Sequence, residues 1–264
     1  MEKTRIEWCD STFNPVSGCR HECPFCYAER IAKRFQPASV LATGAIEKAA
    51  DGGEYLHVLD QPEHGIFKNG KEMYAAYPYG FEPTFHRYRL NDLKTKRFGK
   101  TIFVCSTADL FGSWVPEHWI TEVFEVCLES PEHRYLFLTK NPERYEELGR
   151  AGKLPEADNF WYGTTATDPW KPIFWSDNHH TFVSFEPVLE EFGYPREEKS
   201  IVSYTDWAIV GAETGNRKGK VIPKREWVEG IVETYQKLGK PVFMKDSMKP
   251  ICGDDIITQL PWED

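Results

Sequence analysis

Three of the chain's seven cysteines crowd into one string, GCRHECPFCYAER, as Cys19, Cys23 and Cys26. Thiolates so close together are ligands for soft metals, either zinc or the irons of an iron–sulfur cluster. A structural zinc site closes a tetrahedron with four ligands. His21 could complete one, but it sits two residues from Cys19 and two from Cys23, a cramped spacing for a shared tetrahedron. The second close Cys or His pair of a zinc finger is absent. A cubane cluster has four irons, so three thiolates leave one iron open to a substrate or cofactor. Ligand chemistry alone admits both metals; geometry and the missing fourth ligand favour the cluster. Of the scattered cysteines, Cys105 and Cys127 read as small buried hydrophobes, and Cys252 as a surface residue.

Elements must hold this string in place. Six apolar strings rich in aromatic and β-branched residues read as strands: TIFVCSTAD from Thr101, YLFLTK from Tyr135, FWYGTT from Phe160, TFVSFEP from Thr181, DWAIVGAE from Asp206 and PVFMKD from Pro241. They are nearly continuous rather than alternating, as parallel strands covered on both faces are. Helical spacing links some of them. VPEHWITEVFEVCLESP carries Trp119, Val123, Val126 and Cys127 on one face, and PKREWVEGIVETYQKLGK carries Trp227, Ile231, Tyr235 and Leu238, with Gly239 as its stop. NPERYEELGR is a shorter helix. Residues 174–180 leave no room for a crossover helix. STFNPV supplies a first strand before the cysteines, CYAERIAKRF a helix after them, and FHRYRLNDL a second strand or the turn from it. Residues 37–85 lack clear periodicity and read as an irregular insertion or lid after the first helix, with the EKTRIEW stretch packing beside it. Eight strand candidates then predict an α/β fold, a complete or partial (β/α) TIM-type barrel, as a single domain over 1–264.

In such folds ligands lie beyond the carboxyl ends of parallel strands. Those ends carry Ser106, Thr107 and Asp109, then Lys140, Thr164, Glu186, Glu213 and Lys245. Each has a plain structural alternative. TADLFG can be an Asp-led turn. Glu186, between Phe185 and Pro187, suggests a ligand or an internal ion pair with Lys140 or Lys245, because a half-buried carboxylate is costly without a partner. Lys140 and Lys245 can each hold a carboxylate or phosphate as a point charge. Arg30 and Lys33 read as a solvated helix face, and GNRKGK as a solvated loop. Trp114, Trp161, Trp170 and Trp175 can stack a base, though such residues are more often core.

CRHECPFC resembles the CxxxCxxC signature of the radical S-adenosylmethionine (SAM) superfamily, with the aromatic Phe25 before the last cysteine. NPVSGC, CYAERIAKRF, VCSTADLFGSWVP, FLTKNPERY, SFEPVL, DWAIVGAETG and PVFMKD resemble its phage Gp37/Gp68-like branch, DUF5131, over nearly the whole chain except 37–80. GAETG stands where that branch often has GGESG, so Ala212 replaces a glycine. The resemblance implies that Cys19, Cys23 and Cys26 ligate a [4Fe–4S] cluster whose open iron chelates SAM. Reductive cleavage would then release a 5′-deoxyadenosyl radical that abstracts hydrogen from a substrate. Given SAM, position at the strand ends makes Ser106, Thr107, Asp109, Lys140, Thr164, Glu186, Glu213 and Lys245 candidates for SAM or substrate contacts, and Phe25 a candidate for packing near the adenine. An electron donor such as flavodoxin or ferredoxin would be a partner.

The formal net charge of −9 argues against an extended, sequence-blind hold on a nucleic-acid backbone. It favours a small molecule, or a nucleic acid presented by a partner protein; phage-associated relatives point to nucleotide or nucleic-acid chemistry by analogy. The opening MEKTRIEWCD lacks the apolar core of a secretory signal, and no apolar run has the length of a membrane span. The expectation is a cytoplasmic protein with no membrane contact. The rival reading is a zinc-stabilised nucleic-acid-binding or scaffold protein without catalysis.

Overall fold

A computed structural model describes residues 4–41, 44–192 and 204–263. Strands β1 (Ser11–Phe13) and β2 (Val16–Ser17) precede helix α1 (Tyr27–Phe35). Six short strands follow: β3 (Ser39–Val40), β4 (Ala45–Lys48), β5 (Tyr55–Leu59), β6 (His64–Ile66), β7 (Glu72–Tyr74) and β8 (Thr84–His86). Helix α2 (Asp92–Thr95) comes next. The chain then alternates: β9 (Thr101–Val104), α3 (Glu117–Leu128), β10 (Arg134–Thr139), α4 (Glu143–Arg150) and β11 (Phe160–Thr165). It continues through β12 (His180–Phe185), β13 (Trp207–Val210), α5 (Arg225–Lys237), β14 (Val242–Met244) and α6 (Lys249–Cys252).

Seven strands share one sheet in the order β1-β9-β10-β11-β12-β13-β14. β1 with β9, and β11 through β14, pair in parallel. Burial explains the continuous apolar strings: all four residues of β9 and of β13 are buried, as are five of six in β11 and in β12. The expected TIM-type barrel does not form. The sheet is open, with β1 and β14 as its edges, and among the described residues six short helices accompany it. Two local facts account for this. FHRYRLNDL, counted as a strand of the barrel, puts only Phe85 and His86 into β8, outside the main sheet, and then runs through a 3-10 turn (Arg87–Asn91) into α2. β8 is inserted between β2 and β5 instead, where Phe85 faces both Val16 and Val58 and is fully buried. The chain between β11 and β12 carries no helix, as its length predicted.

The chain divides into two compact units: residues 9–135, and residues 136–264 together with Ile6–Trp8. In the first, the stretch read as irregular carries six short strands joined by turns. It makes a four-stranded sheet, β2-β8-β5-β4, and a three-stranded sheet, β3-β6-β7. In α3, Trp119, Ile120, Val123, Phe124 and Cys127 are buried, a helical stripe that seats it. In the second unit, α5 buries Val228, Ile231, Val232 and Tyr235. Its apolar face is thus turned by about one residue from expectation, and Leu238 is exposed. Gly239 ends α5 with φ of +68°, and the Lys240 N–H returns to the Tyr235 carbonyl. Trp8 packs on Phe182 and Trp207, so this part of EKTRIEW belongs to the second unit rather than to the insertion; residues 1–3 lie outside the described residues. Cys252 is buried in the same apolar cluster as Met248 and Ile231, not at the surface, because α6 carries it inward.

Candidate functional site

The cysteine turn is fixed from both ends. Gly18 adopts φ of +83°, and its N–H donates to the Thr107 carbonyl (3.0 Å), while the Cys19 N–H donates to the Phe81 carbonyl (3.1 Å). Gly18 also bridges Ala108, extending the β1–β9 pairing past the strand ends. A Cβ at Gly18 would run into the backbone of Glu82 and Phe81, so glycine is required there. Glu22 turns the chain with φ of +52°. Cys26 caps α1: its Sγ accepts the Glu29 N–H at 3.3 Å. Tyr27 is exposed, and its hydroxyl donates to the Ser106 carbonyl (2.5 Å), tying the start of α1 to the turn after β9.

The structure therefore brings Ser106, Thr107 and Asp109 to the cysteines, as the strand-end argument expected. Their polar groups are engaged within the protein. Ser106 Oγ donates to Asn14 Oδ1 (3.0 Å), and Thr107 shares a hydrogen bond with Tyr77. The buried Asp109 accepts the Phe111 N–H on Oδ1 (3.0 Å) and meets His21 Nε2 with Oδ2 (2.7 Å). His21 also packs edge-on against Trp114. The Cys19 thiol is pushed up to about 12, first by burial, then by the Asp109 carboxylate, with smaller pushes from Cys23 and Cys26; a bond with the His21 backbone pulls the other way. All three cysteines and Phe25 are half-buried.

A family model described as a protein of unknown function, DUF5131, matches residues 3–249. The chain belongs to the DUF5131 family. No curated protein and no solved structure matches it.

In this DUF5131 chain the second unit carries the remaining strand-end residues. Lys245 Nζ donates to Glu186 Oε1 (2.5 Å), and Ser184 Oγ to Glu186 Oε2 (2.9 Å). The ion pair named as the structural alternative for Glu186 is the one that forms. Gly211 makes room for it, since a Cβ there would stand 2.8 Å from Glu186 Oε1. Glu213 is buried and gripped at both oxygens by Arg217, at 2.7 Å each, so GNRKGK is more than a solvated loop. The Ala212 N–H bonds Ser247 Oγ (3.0 Å). Thr164 Oγ1 accepts the Phe174 N–H (3.0 Å), which orders the helix-free link after β11. Lys140 is half-buried directly after β10. Trp114 and Trp161 are core, Trp175 stacks on Tyr204, and Trp170 is 89% exposed. Lys33 pairs with Glu29 on the solvated face of α1, as expected.

Among the described residues no group of three or more His, Cys, Asp or Glu side chains is arranged to hold a metal ion. What fits an iron–sulfur cluster is the donor type, three thiols on one turn, and not a preformed ligand cage. Three thiols lie within electrostatic reach of one another, and one of them sits at a helix N-terminus receiving an N–H. Asn14, which shapes this neighbourhood, was not singled out from the sequence, and neither was the pairing of His21 with Asp109, although each of those two was. The Asn-Pro pair directly after the first strand was the available signal for Asn14.

Proposed function

We propose that this DUF5131 protein is a radical SAM enzyme in which Cys19, Cys23 and Cys26 hold a [4Fe–4S] cluster. The observation that carries the reading is the set of three thiols on one turn, tied by Gly18 and Tyr27 to the polar turn after β9. When bound, the cluster supplies the electron that cleaves SAM into methionine and a 5′-deoxyadenosyl radical. The chain's own residues do the positioning. Gly18 and the Cys19 N–H set where the turn leaves the sheet, and the Glu29 N–H supports the Cys26 thiolate. Asp109 holds His21 by Nε2, which keeps that nitrogen from acting as a fourth ligand. In this reading Phe25 and the turn holding Ser106 and Thr107 would meet SAM. Within the second unit, Glu186 and Glu213 act as ion pairs, with Lys245 and Arg217, rather than as bare carboxylates. A flavodoxin- or ferredoxin-type donor and a nucleotide or nucleic-acid-derived substrate complete the proposal.

Anaerobic reconstitution tests it. The expected product is brown protein with about four irons per chain, bleached by dithionite, that forms 5′-deoxyadenosine from SAM. Alanine at any one of the three cysteines should abolish both. Colourless protein with a single tightly held zinc would replace this reading with the zinc-stabilised scaffold.

A further inference from the structure

We propose that the first unit carries a separate binding pocket for a phosphorylated small molecule of mononucleotide size. The pocket opens beside the edge strand β1 and has a volume of about 760 Å³, within the range of small-ligand sites. Its polar wall comes from Thr12 and Asn14 at β1, from Tyr74 in β7, and from Tyr88 and Arg89 after β8.

The charge balance points to an anion. In a chain of net charge −9, this pocket gathers Arg89, Lys96 and Arg97 against one carboxylate, Asp92. Lys96 pairs with Asp92 at 2.8 Å, which leaves the two arginines. Arg97 is exposed and has no ion pair among the described residues. Arg89 is half-buried, and its partners are all neutral. Nη1 donates to the Asn14 carbonyl (2.9 Å), Nη2 to the Tyr74 hydroxyl (2.8 Å) and the Ala76 carbonyl (3.2 Å), and Nε to the Tyr88 hydroxyl (3.3 Å). Two residues earlier, Arg87 is met by both Glu122 and Asp60. A partly desolvated guanidinium held rigid by neutral acceptors is a preorganised positive charge that lacks its counter-ion. Phosphate matches the planar fork of arginine and can take further bonds from the tyrosine hydroxyls. The rest of the wall includes the apolar Phe13, Pro62 and Phe98, with the Phe98 ring edge-on to Phe13, which suits an apolar ring attached to that phosphate.

Hydrogen bonds run from this wall toward the cysteine turn: Arg89 to Asn14, Ser106 to Asn14, and Tyr27 to Ser106. The site nevertheless stands on its own charge and shape, whatever chemistry the cysteines support.

Calorimetric titration of the full chain as purified tests it, with the common 5′-mononucleotides and their matched nucleosides as probes. At least one mononucleotide should bind in the micromolar to low millimolar range, and its nucleoside should bind more weakly by about tenfold or more. Arg97→Glu, a surface change, should weaken the mononucleotide by about tenfold without moving the unfolding midpoint. Arg89→Lys should weaken it too, since a lysine keeps the charge but loses the fork. The proposal is overturned if no mononucleotide binds, if nucleoside and nucleotide bind alike, or if Arg97→Glu leaves binding unchanged. A 5′-phosphorylated oligonucleotide that outcompetes every mononucleotide would also overturn it, assigning the pocket to a nucleic-acid strand.

Discussion

Replacing Gly18 with alanine probes how firmly the backbone sets the cysteine turn. The residue's φ of +83° lies in the left-handed region, where a side chain costs roughly 1–2 kcal/mol. The new Cβ would collide with the Glu82 carbonyl and stand 2.6 Å from the Phe81 carbonyl oxygen. Both are backbone atoms and cannot swing aside. Relief requires the chain to move, which breaks or stretches the Gly18–Thr107 and Cys19–Phe81 hydrogen bonds, at about 1 kcal/mol each. The total is roughly 3–4 kcal/mol, a large share of the 5–15 kcal/mol typical of a domain. Gly70 is the control: it has φ of +76° but open space around its Cβ position, so Gly70→Ala should cost only the conformational part, roughly 1–2 kcal/mol. Urea unfolding of the two variants gives the comparison, and iron retained per chain after reconstitution reports the turn itself. Equal destabilisation by the two substitutions, with equal iron, would refute the claim that contact with residues 81–82 fixes the turn.

Other consequences are similarly direct. His86 is fully buried beside Ser17, and burial, then the nearby Arg89 charge, holds its pKa well below the usual 6.5. The unfolded chain binds that proton first, so stability should fall as the pH drops below about 6.5, by at most about 1.4 kcal/mol per pH unit from this group. His86→Asn should flatten the decline relative to the parent chain in urea melts across pH 5–7 (about the histidine range); parallel curves would contradict the burial argument. Lys245→Met strands the half-buried Glu186 and should cost about 1–2 kcal/mol, part of it recovered when Glu186→Gln is added; strict additivity would mean the pair is not coupled. Asp109→Ala removes the acceptor for both the Phe111 N–H and His21 and should cost about 2–4 kcal/mol, whereas Asn, which can still accept one bond, should cost less. Equal losses in the two would show that the acceptor oxygen is not what matters.

The C-terminal half was largely legible because its signals are local. Continuous apolar strings gave β9 through β14, and helical stripes gave α3 and α5, since burial on both faces of a strand or on one face of a helix is written in neighbouring residues. The first hundred residues were not legible in this way. β3, β6 and β7 are two or three residues long and owe their existence to pairing across the insertion, which no short window records. Cys252 and Leu238 went the wrong way for a related reason: small changes in where a helix sits decide which side of it meets the core.

Sequence by itself determined that three thiols share one turn between a strand and a helix, and that polar residues end the parallel strands. Covalent spacing and side-chain periodicity are enough for that. Tertiary structure alone decided that the sheet stays open: β8 pairs between β2 and β5, where Phe85 is fully buried, and not in the seven-stranded sheet. It also decided the partners of three carboxylates, Lys245 for Glu186, Arg217 for Glu213 and His21 for Asp109, and left Arg89 with no carboxylate partner among the described residues. Charge pairing depends on distances of a few ångströms across the fold. A linear chain carries the charges, while only the folded backbone sets which of them meet.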